Sequence, residues 1–526
     1  MNYSNESMDR IEKIKKLKNA GVIPYADKFE KKYDIQEIIN LKEQYTKDSN
    51  NLMQDWANRD FKTAGRLVSF HSHGKLAFGK IKDHSSTIQV CFVKNSVKFN
   101  TWEQELEELE IENETKNAYK IMEKLVDIGD FIGIEWDLFY TKHWELTLFV
   151  DVFQVLSKAI RPLPEKWHGL KDEELIYRQR YLDLIANEES YQRMIFRSNF
   201  MKTLRKFYEE KWFLEVETPI LGNAASWAAA KPFVTYHEDF EQDFYLRISP
   251  ETALKKATVG RFEKIFEVAR NFRNEWSDPS HMQEFTMVEH YAAWWNFEDN
   301  MKFTEEMFDY LFKNLEMHKK INIKDKEWNV KEVDWTTPWE RVDYIQWVKE
   351  ACWIDVSNYQ EWEEEKLLED IKKAWVEFEW MNQMWLASLI DNLYKKVLRP
   401  NIVWPAFVYN YPKTMQPLSR TSDKNSNIVE QFQLVVNWWE IVKAYSELVD
   451  PIQQKENFDA QAEALARWDE EATSSDDEFL LAMEYWMPPQ SGLGMWIDRV
   501  LALLTEQDNM RDVVLFPLMK KEDDTN

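Results

Sequence analysis

From Phe266 to Tyr291 the chain reads Phe-Glu-Val-Ala-Arg-Asn-Phe-Arg-Asn-Glu-Trp-Ser-Asp-Pro-Ser-His-Met-Gln-Glu-Phe-Thr-Met-Val-Glu-His-Tyr. Two arms that alternate apolar and polar residues enclose a polar loop, the pattern of an antiparallel β-hairpin. The first arm ends in Arg273 and Glu275, the loop carries Asp278, Pro279 and His281, and the second arm resumes at Phe285. Side chains two apart in a strand share a face, so Glu289 and Tyr291 point the same way. A planar guanidinium grips an oxyanion through two hydrogen bonds. Phe285 offers a flat face to a base, and carboxylates at the far end suit an ammonium ion. An ordinary charged hairpin would also account for this stretch taken alone. The order of its groups suits a nucleotide phosphate held beside an amine.

A second constraint is a scarcity. Glycine occurs 11 times in 526 residues, against about 7% in ordinary proteins, while tryptophan occurs 25 times. Several tryptophans stand where chain geometry wants glycine: Trp144 in Lys-His-Trp-Glu, Trp276 in the hairpin loop, Trp486 before Met-Pro-Pro, and Trp496 in Ser-Gly-Leu-Gly-Met-Trp-Ile-Asp-Arg. Glycine allows positive φ and close backbone approach, and tryptophan allows neither. The pattern predicts that many of these positions are glycine in the living organism, as a code reading UGA as glycine would produce when translated by the standard table. Trp167 and Trp339 sit where an aromatic is natural and are expected to be genuine.

The remaining composition is that of a soluble globular chain, 44% hydrophobic and 30% charged, with a net charge of −26. That balance counts against a general nucleic-acid coat but leaves room for a local basic face. No run of 18 apolar residues exists and the start is polar, so neither a membrane span nor a signal peptide is expected. Cys91 and Cys352 form no metal or disulfide pattern. Residues 5–55 look helical, with Arg10, Lys13, Lys15, Lys16 and Lys18 on one face; a helix touching RNA phosphates and a solvated charged helix both fit. Five short strands between Thr63 and Ser157, interrupted by a helix-like stretch from Trp102 to Leu125, suggest an OB-fold barrel. Such barrels stack bases on aromatics in a basic groove, which makes Arg66, Lys75, Phe78, Lys80, Lys82 and Gln89 candidates, although Phe78 also reads as barrel core. A proline-stiffened bridge follows. A helix from Met194 to Lys211 then leads to Phe-Leu-Glu-Val-Glu-Thr-Pro-Ile-Leu and a strand Tyr-Leu-Arg-Ile-Ser-Pro-Glu that places Arg247 and Ser249 on one face. Phe297 to Pro400 reads as mostly amphipathic helix, after which strands return.

The hairpin order Phe-Arg-Asn-Glu, loop, Glu-Phe-Thr-Met-x-Glu resembles motif 2 of the class II aminoacyl-tRNA synthetases, most closely the bacterial lysyl-type enzymes. The helix and strand up to Pro219 resemble motif 1, which that family uses for dimerisation. Ser-Gly-Leu-Gly-Met-Trp-Ile-Asp-Arg, read with Trp496 as glycine, resembles motif 3. Three motifs in order across roughly 300 residues are far more specific than one.

The resemblance implies an α+β protein: a five-stranded OB-fold barrel, then a large catalytic domain with a mainly antiparallel β-sheet flanked by helices. The expected boundaries are 1–60 for a helical extension, 61–158 for the anticodon-binding barrel, 159–186 for the linker and 187–526 for the catalytic domain. It also implies lysine activation by ATP with Mg²⁺, transfer to tRNA(Lys), a homodimer and a cytoplasmic location. Under it Arg273 holds the α-phosphate and the amino-acid carboxylate, and Arg499 holds the γ-phosphate. Phe285 stacks the adenine with Glu275 near its amino group, and His281 lies toward the outer phosphates. Glu440 matches one magnesium ligand, and Gln433 stands at the other, where the family has Glu. In the amino-acid pocket Glu251 meets the α-amine, Glu447 and Tyr291 meet the ε-amine, and Glu289 joins them. Trp227 stands at a family glycine beside the α-amine, and Lys443 stands where the family usually has Asn beside the carboxylate. In the barrel Phe78 stacks an anticodon base and Gln89 reads one. An aspartyl- or asparaginyl-type enzyme is the related alternative; a non-catalytic RNA-binding paralogue is the alternative of another class.

Overall fold

The computed structural model describes residues 3–42, 62–163, 172–223, 230–360, 362–467 and 476–521. The chain forms two compact units, Met1–Gly169 and Leu170–Asn526.

In the first unit the strands Thr87–Val93, Leu76–Lys82, Lys62–His73, Phe131–Tyr140 and Leu146–Ser157 pair in that order. Parallel pairing of Gln89, Val90 and Cys91 with Thr147, Leu148 and Phe149 closes them into the expected barrel. Alternate residues such as Ile81, Val90, Phe92, Ile132, Ile134 and Phe153 fill it. The stretch from Trp102 to Leu125 is only partly helical. Glu108–Ile111 and Glu114–Asn117 form a small hairpin, and the helix proper is Ala118–Leu125, capped by the Asn117 side chain. In Glu-Leu-Glu-Ile the two apolar residues are spaced by two, the period of a strand.

The N-terminal helicity is also shorter than expected. Helices span Asn5–Asn19 and Ile35–Asn40, with irregular chain between; residues 43–55 lie outside the described residues. The basic face of the first helix turns toward its own barrel. Arg10 is buried and donates to Ile128 O (3.0 Å) while pairing with Glu6, Lys13 bonds Asp127 (2.7 Å), and Lys16 pairs with Glu112 (3.1 Å). Those three cations fasten the helix to its own unit, which matches neither the RNA-facing nor the merely solvated reading.

The second unit is built on an eight-stranded sheet with the order Leu214–Glu215, Lys264–Phe272, Glu284–Ala293, Gln490–Trp496, Trp439–Ser446, Ile428–Val436, Ala406–Pro412 and Glu340–Asp343. Its six central strands are antiparallel and only its edge strands pair in parallel. The long helix before it runs Glu188–Glu210, starting well ahead of Met194. Between Phe297 and Pro400 the helices Phe297–Asn314, Tyr344–Cys352, Glu364–Lys373 and Leu386–Val397 are joined by a hairpin, Lys320–Lys324 with Val330–Asp334, and by the edge strand Glu340–Asp343. These strands are short and bury only one or two apolar residues each (Ile321, Ile323, Val333 and Val342), so they carry little apolar signal. Between the strands Ala406–Pro412 and Ile428–Val436, Ser419 and Thr421 make only isolated bridges, to Glu447 and Val429.

Among the described residues two groups of tryptophan stand apart. Trp335 is fully buried and stacks on Phe308, and Trp339 joins the same cluster, donating Nε1–H to Trp335 O (3.1 Å). Eleven others have positive φ, more than all other non-glycine residue types together. Asn437 (48°) and Trp438 (56°) form the two-residue turn between the strands Ile428–Val436 and Trp439–Ser446, a position that favours Asn-Gly. Trp212 (64°) follows the long helix: Trp212 N–H donates to Glu209 O and Phe213 N–H to Tyr208 O, the helix-ending motif that takes glycine. Trp375 repeats it after Glu364–Lys373, and Trp353 (62°) is the left-handed cap of Tyr344–Cys352, 91% exposed. Trp144 (60°) and Trp486 (128°) belong to this set. Trp276 and Trp496 do not: Trp276 is merely exposed and Trp496 has an extended φ of −78°. Trp167 and Trp227 lie outside the described residues.

Candidate active site

The hairpin forms as its sequence pattern demands. Lys264–Phe272 pairs residue by residue with Glu284–Ala293, and the ladder continues with Arg273 N–H donating to Gln283 O (2.8 Å). This puts Arg273 at the strand mouth with its guanidinium 5.2 Å from the centre of the Phe285 ring. Its Nε is buried without a partner. Burial lowers the Arg273 pKa, opposed by Glu275, Glu289 and Glu440. In the loop, Asp278 accepts from Ser280 N–H (2.7 Å) and bonds His281 Nδ1 (2.7 Å). Burial and the Arg499 charge push the His281 pKa down against that carboxylate, so the ring is held neutral and facing a cation. Trp276 is 94% exposed at the loop tip.

Arg499 reaches the same region from another element. It opens the helix Ile497–Leu504 directly after Gln490–Trp496, a central neighbour of the hairpin. The guanidinium donates to Ser280 O (3.2 Å) and Glu440 O (2.8 Å) and lies 5.1 Å from the centre of the Trp496 ring. Its pKa falls to about 10, from burial first, with Arg399 and Arg273 adding repulsion and Glu440 and Asp278 opposing it. Two buried guanidiniums near enough to repel one another form a place for a polyanion. The Glu440 side chain, which attracts both, makes no hydrogen bond or ion pair among the described residues. Gln433 differs, because its Oε1 already accepts from Tyr411 Oη (2.7 Å).

Behind the hairpin the acids gather. Glu251 begins the helix Glu251–Val259, Glu289 and Tyr291 come from the hairpin, and Glu447 follows the strand Trp439–Ser446. All four are buried or nearly so. Ser249 Oγ donates to Glu289 (2.9 Å), and the Tyr445 hydroxyl donates to Glu251 Oε1. Burial and the neighbouring acids push Glu289 and Glu447 up to about 8. Burial acts on Glu251 too, but Lys255 and Tyr445 more than offset it and hold that carboxyl below the usual range. Glu447 Oε2 pairs with the Lys255 ammonium, and Oε1 has no hydrogen-bond partner. Gly492 floors the pocket, since a β-carbon there would collide with Glu447 Oε1 and the Tyr291 ring. Lys443 stands at the rim, 5.9 Å from the centre of the Tyr445 ring, and helps lower Glu251.

In the barrel unit Phe78 is half-buried against Cys91, Phe139 and Phe149, so it is both a rim aromatic and part of a small core. Lys80 pairs in register with Gln89, two residues along from Phe78 on the same face. The Gln89 amide bonds Thr147 Oγ1 (2.9 Å), and Lys80 bonds Glu145 (3.1 Å). Arg66 is engaged elsewhere, donating to Gly129 O (3.0 Å) beneath the Phe131 ring.

Three residues escaped the sequence reading. Lys255 lies among the pocket acids, and its signal was the i, i+4 spacing from Glu251. Tyr445 was passed over as strand core. Asp498 ties elements together: Oδ2 accepts from Thr286 N–H (2.7 Å) and Oδ1 from Arg197 (2.6 Å), which sets the angle at which Arg499 enters. Arg247 pairs with Glu267 (2.6 Å), while Ser249 bonds Glu289. The described residues contain one cluster with metal-like spacing, Asp34, Asp83 and His84, and Lys31 bonds both of its aspartates.

Residues 172–520 match the family model described as tRNA synthetases class II (D, K and N). Three relatives named lysine–tRNA ligase align over nearly the whole chain. That of Aquifex aeolicus is 41% identical over 93% of this chain and 76% of its own. That of Carboxydothermus hydrogenoformans is 38% identical over 98% of both. That of Lactococcus lactis is 37% identical over 97% of both.

Proposed function

The chain belongs to the class II tRNA synthetases (D, K and N), and on that premise we propose that it is a lysine–tRNA ligase. The observation that carries the substrate is the buried group Glu251, Glu289 and Glu447 with Tyr291 beside it. Buried carboxylates need cationic partners, and a diamino acid brings two. In the first step the lysine carboxylate attacks the α-phosphorus of ATP, the bond to the pyrophosphate oxygen breaks, and lysyl-adenylate forms. Charge develops on phosphate oxygens, so fixed cations supply most of the acceleration. Arg273 serves the α-phosphate, Arg499 the outer phosphates, and Phe285 the adenine, with Glu275 and His281 at the margins. In the second step a ribose hydroxyl at the 3′ end of tRNA(Lys) attacks the acyl carbon and AMP leaves, its phosphate taking the proton. Glu440 fits a magnesium ligand because its carboxylate is unengaged, and Gln433 contributes at most a neutral oxygen. Bound Mg²⁺ would neutralise phosphate charge. Phe78 and Gln89 are the proposed anticodon contacts. Exposed Leu214, Ile220, Leu221, Val234 and Tyr236 support burial against a second copy, which sedimentation would report. No described helix is long and apolar enough to cross a membrane, and the reading places the enzyme in the cytoplasm.

An ATP–pyrophosphate exchange assay with each of the 20 amino acids gives lysine-dependent exchange alone. Aspartate- or asparagine-dependent exchange would replace this reading with the sister specificity, which the cations Lys255 and Lys443 beside the pocket make worth testing. Exchange with none would leave a non-catalytic paralogue.

The acids also set a pH dependence. Glu289 and Glu447 are protonated below about 8 in the empty pocket, and an ammonium ion binds the ionised form. The kcat/KM for lysine therefore rises with pH through about 8 and falls about tenfold per unit below it for each group that must ionise. A profile flat from pH 6 to 9 would contradict this. Gly492→Ala displaces Glu447 or Tyr291. The expected loss is roughly 100-fold in kcat/KM for lysine with the KM for ATP little changed; an equal loss for both substrates would place Gly492 outside the amino-acid pocket.

We also propose that the left-handed tryptophans are glycine in the organism, and that Trp276 and Trp496 are as well, there for room rather than for backbone conformation; Trp227 joins them on its place in the sequence alone. Trp496 puts an indole against Arg499 where phosphate has to approach.

A further inference from the structure

Lys255 sits in the acid pocket, and its side chain is 1% exposed. Its ammonium bonds Glu251 Oε1 (2.6 Å) and forms an ion pair with Glu447. Three rings surround it, with centres 5.9 Å away for Tyr291, 5.4 Å for Tyr445 and 5.7 Å for Phe479. The groups facing it are Glu251 on its own helix, Glu289 and Tyr291 on the hairpin, Lys443 and Tyr445 on the neighbouring strand, and Glu447 after it. The packed helix Asp477–Glu484 presents Phe479, while its Glu478 pairs with Lys256 (3.0 Å). Among the described residues Lys255 is the one ammonium bonded to any of the three carboxylates, a net of −2 for that group when all are ionised, with Lys443 acting only from the rim. A substrate with two ammonium groups brings that sum to zero. A neutral side chain leaves one carboxylate without a cation in a buried site, which is costly.

We propose that Lys255 is a specificity-determining residue, a built-in counter-ion that favours ionisation of Glu251 and Glu447 and still leaves the pocket short of cations, so that a diamino acid completes it. This rests on the lysine–tRNA ligase reading above. Lys255 touches no reacting atom; it acts through the two carboxylates it bridges, and its anchoring on the helix makes it a fixture rather than a plug to be displaced.

The test is the pH profile of kcat/KM for lysine in ATP–pyrophosphate exchange, with the fold of each variant checked by circular dichroism. In Lys255→Gln the neighbouring acids lose their nearest cation, so ionisation moves to higher pH. The acid limb shifts upward by about one unit or more, exchange near neutral pH drops about tenfold and recovers in alkali, and discrimination against norleucine weakens. Lys255→Arg keeps the charge and holds the limb where the parent has it. A folded Lys255→Gln with an unmoved limb overturns the proposal. If that variant does not fold, an Arg variant whose limb moves by a unit overturns it as well. A parent protein that exchanges with another amino acid would instead defeat the lysine reading and leave the role of Lys255 as counter-ion to be scored on that substrate's profile.

Discussion

The chain written with glycine at its eleven left-handed tryptophans folds and is soluble, whereas the chain written with tryptophan throughout does not reach a stable native state. A side chain held in the left-handed region costs roughly 1–2 kcal/mol. Eleven such positions sum to roughly 10–20 kcal/mol, at least as large as the about 5–15 kcal/mol by which domains are usually stable. The bulk of the indoles does not offset this, because most are exposed: 87% for Trp212 and 93% for Trp375. Trp335 and Trp339 behave oppositely. Replacing either by a small residue empties a packed aromatic cluster and costs about 3–5 kcal/mol. Expression of the two gene versions and thermal denaturation measure the contrast. Peptide masses from protein made in its own organism give an independent answer: glycine at 144, 212, 353 and 438, tryptophan at 335 and 339. UGG codons at the first four positions would end the idea.

Arg273→Ala lowers lysine-dependent exchange by about 10²–10³-fold, with a stable fold. That is the usual loss when a fixed donor to a developing oxyanion is removed. Arg273 is the cleaner of the two guanidiniums to test. Arg499 also holds the loop at Ser280 O and the strand at Glu440 O, so its removal mixes catalysis with structure. The unpartnered Nε of Arg273 marks hydrogen-bonding capacity that the protein itself leaves unused. Arg273→Lys keeps the charge without the planar fork and recovers only part of the rate. Unchanged exchange in Arg273→Ala would remove this residue from the phosphate site.

The hairpin was legible because its arms run nine and ten residues and pair without a register shift. Glu289 and Tyr291 came with it, since period two alone decides their face. The barrel was legible for the same reason. The hairpin at Glu108–Asn117 was not, because four-residue strands rich in Glu carry too little apolar pattern to oppose a helix. The basic helix misled because its cations were judged by their own face, while their partners Asp127 and Glu112 stand more than ninety residues away in the chain. Lys255 was hidden similarly: a lysine one turn after a glutamate reads as a surface pair, and only the fold brings Glu447 to its other side.

The strand Gln490–Trp496 lies in the middle of the large sheet, between Glu284–Ala293 and Trp439–Ser446. It floors the pocket through Gly492 and leads directly into Arg499. A ribosome must therefore thread out almost five hundred residues before this gap in the sheet can be filled. Until then the hairpin is a ribbon with one flank bare, open to wrong pairing. Nascent chains stalled short of residue 490 should bind chaperones and hold no nucleotide, because the strand that closes the gap and leads to Arg499 has not yet been made.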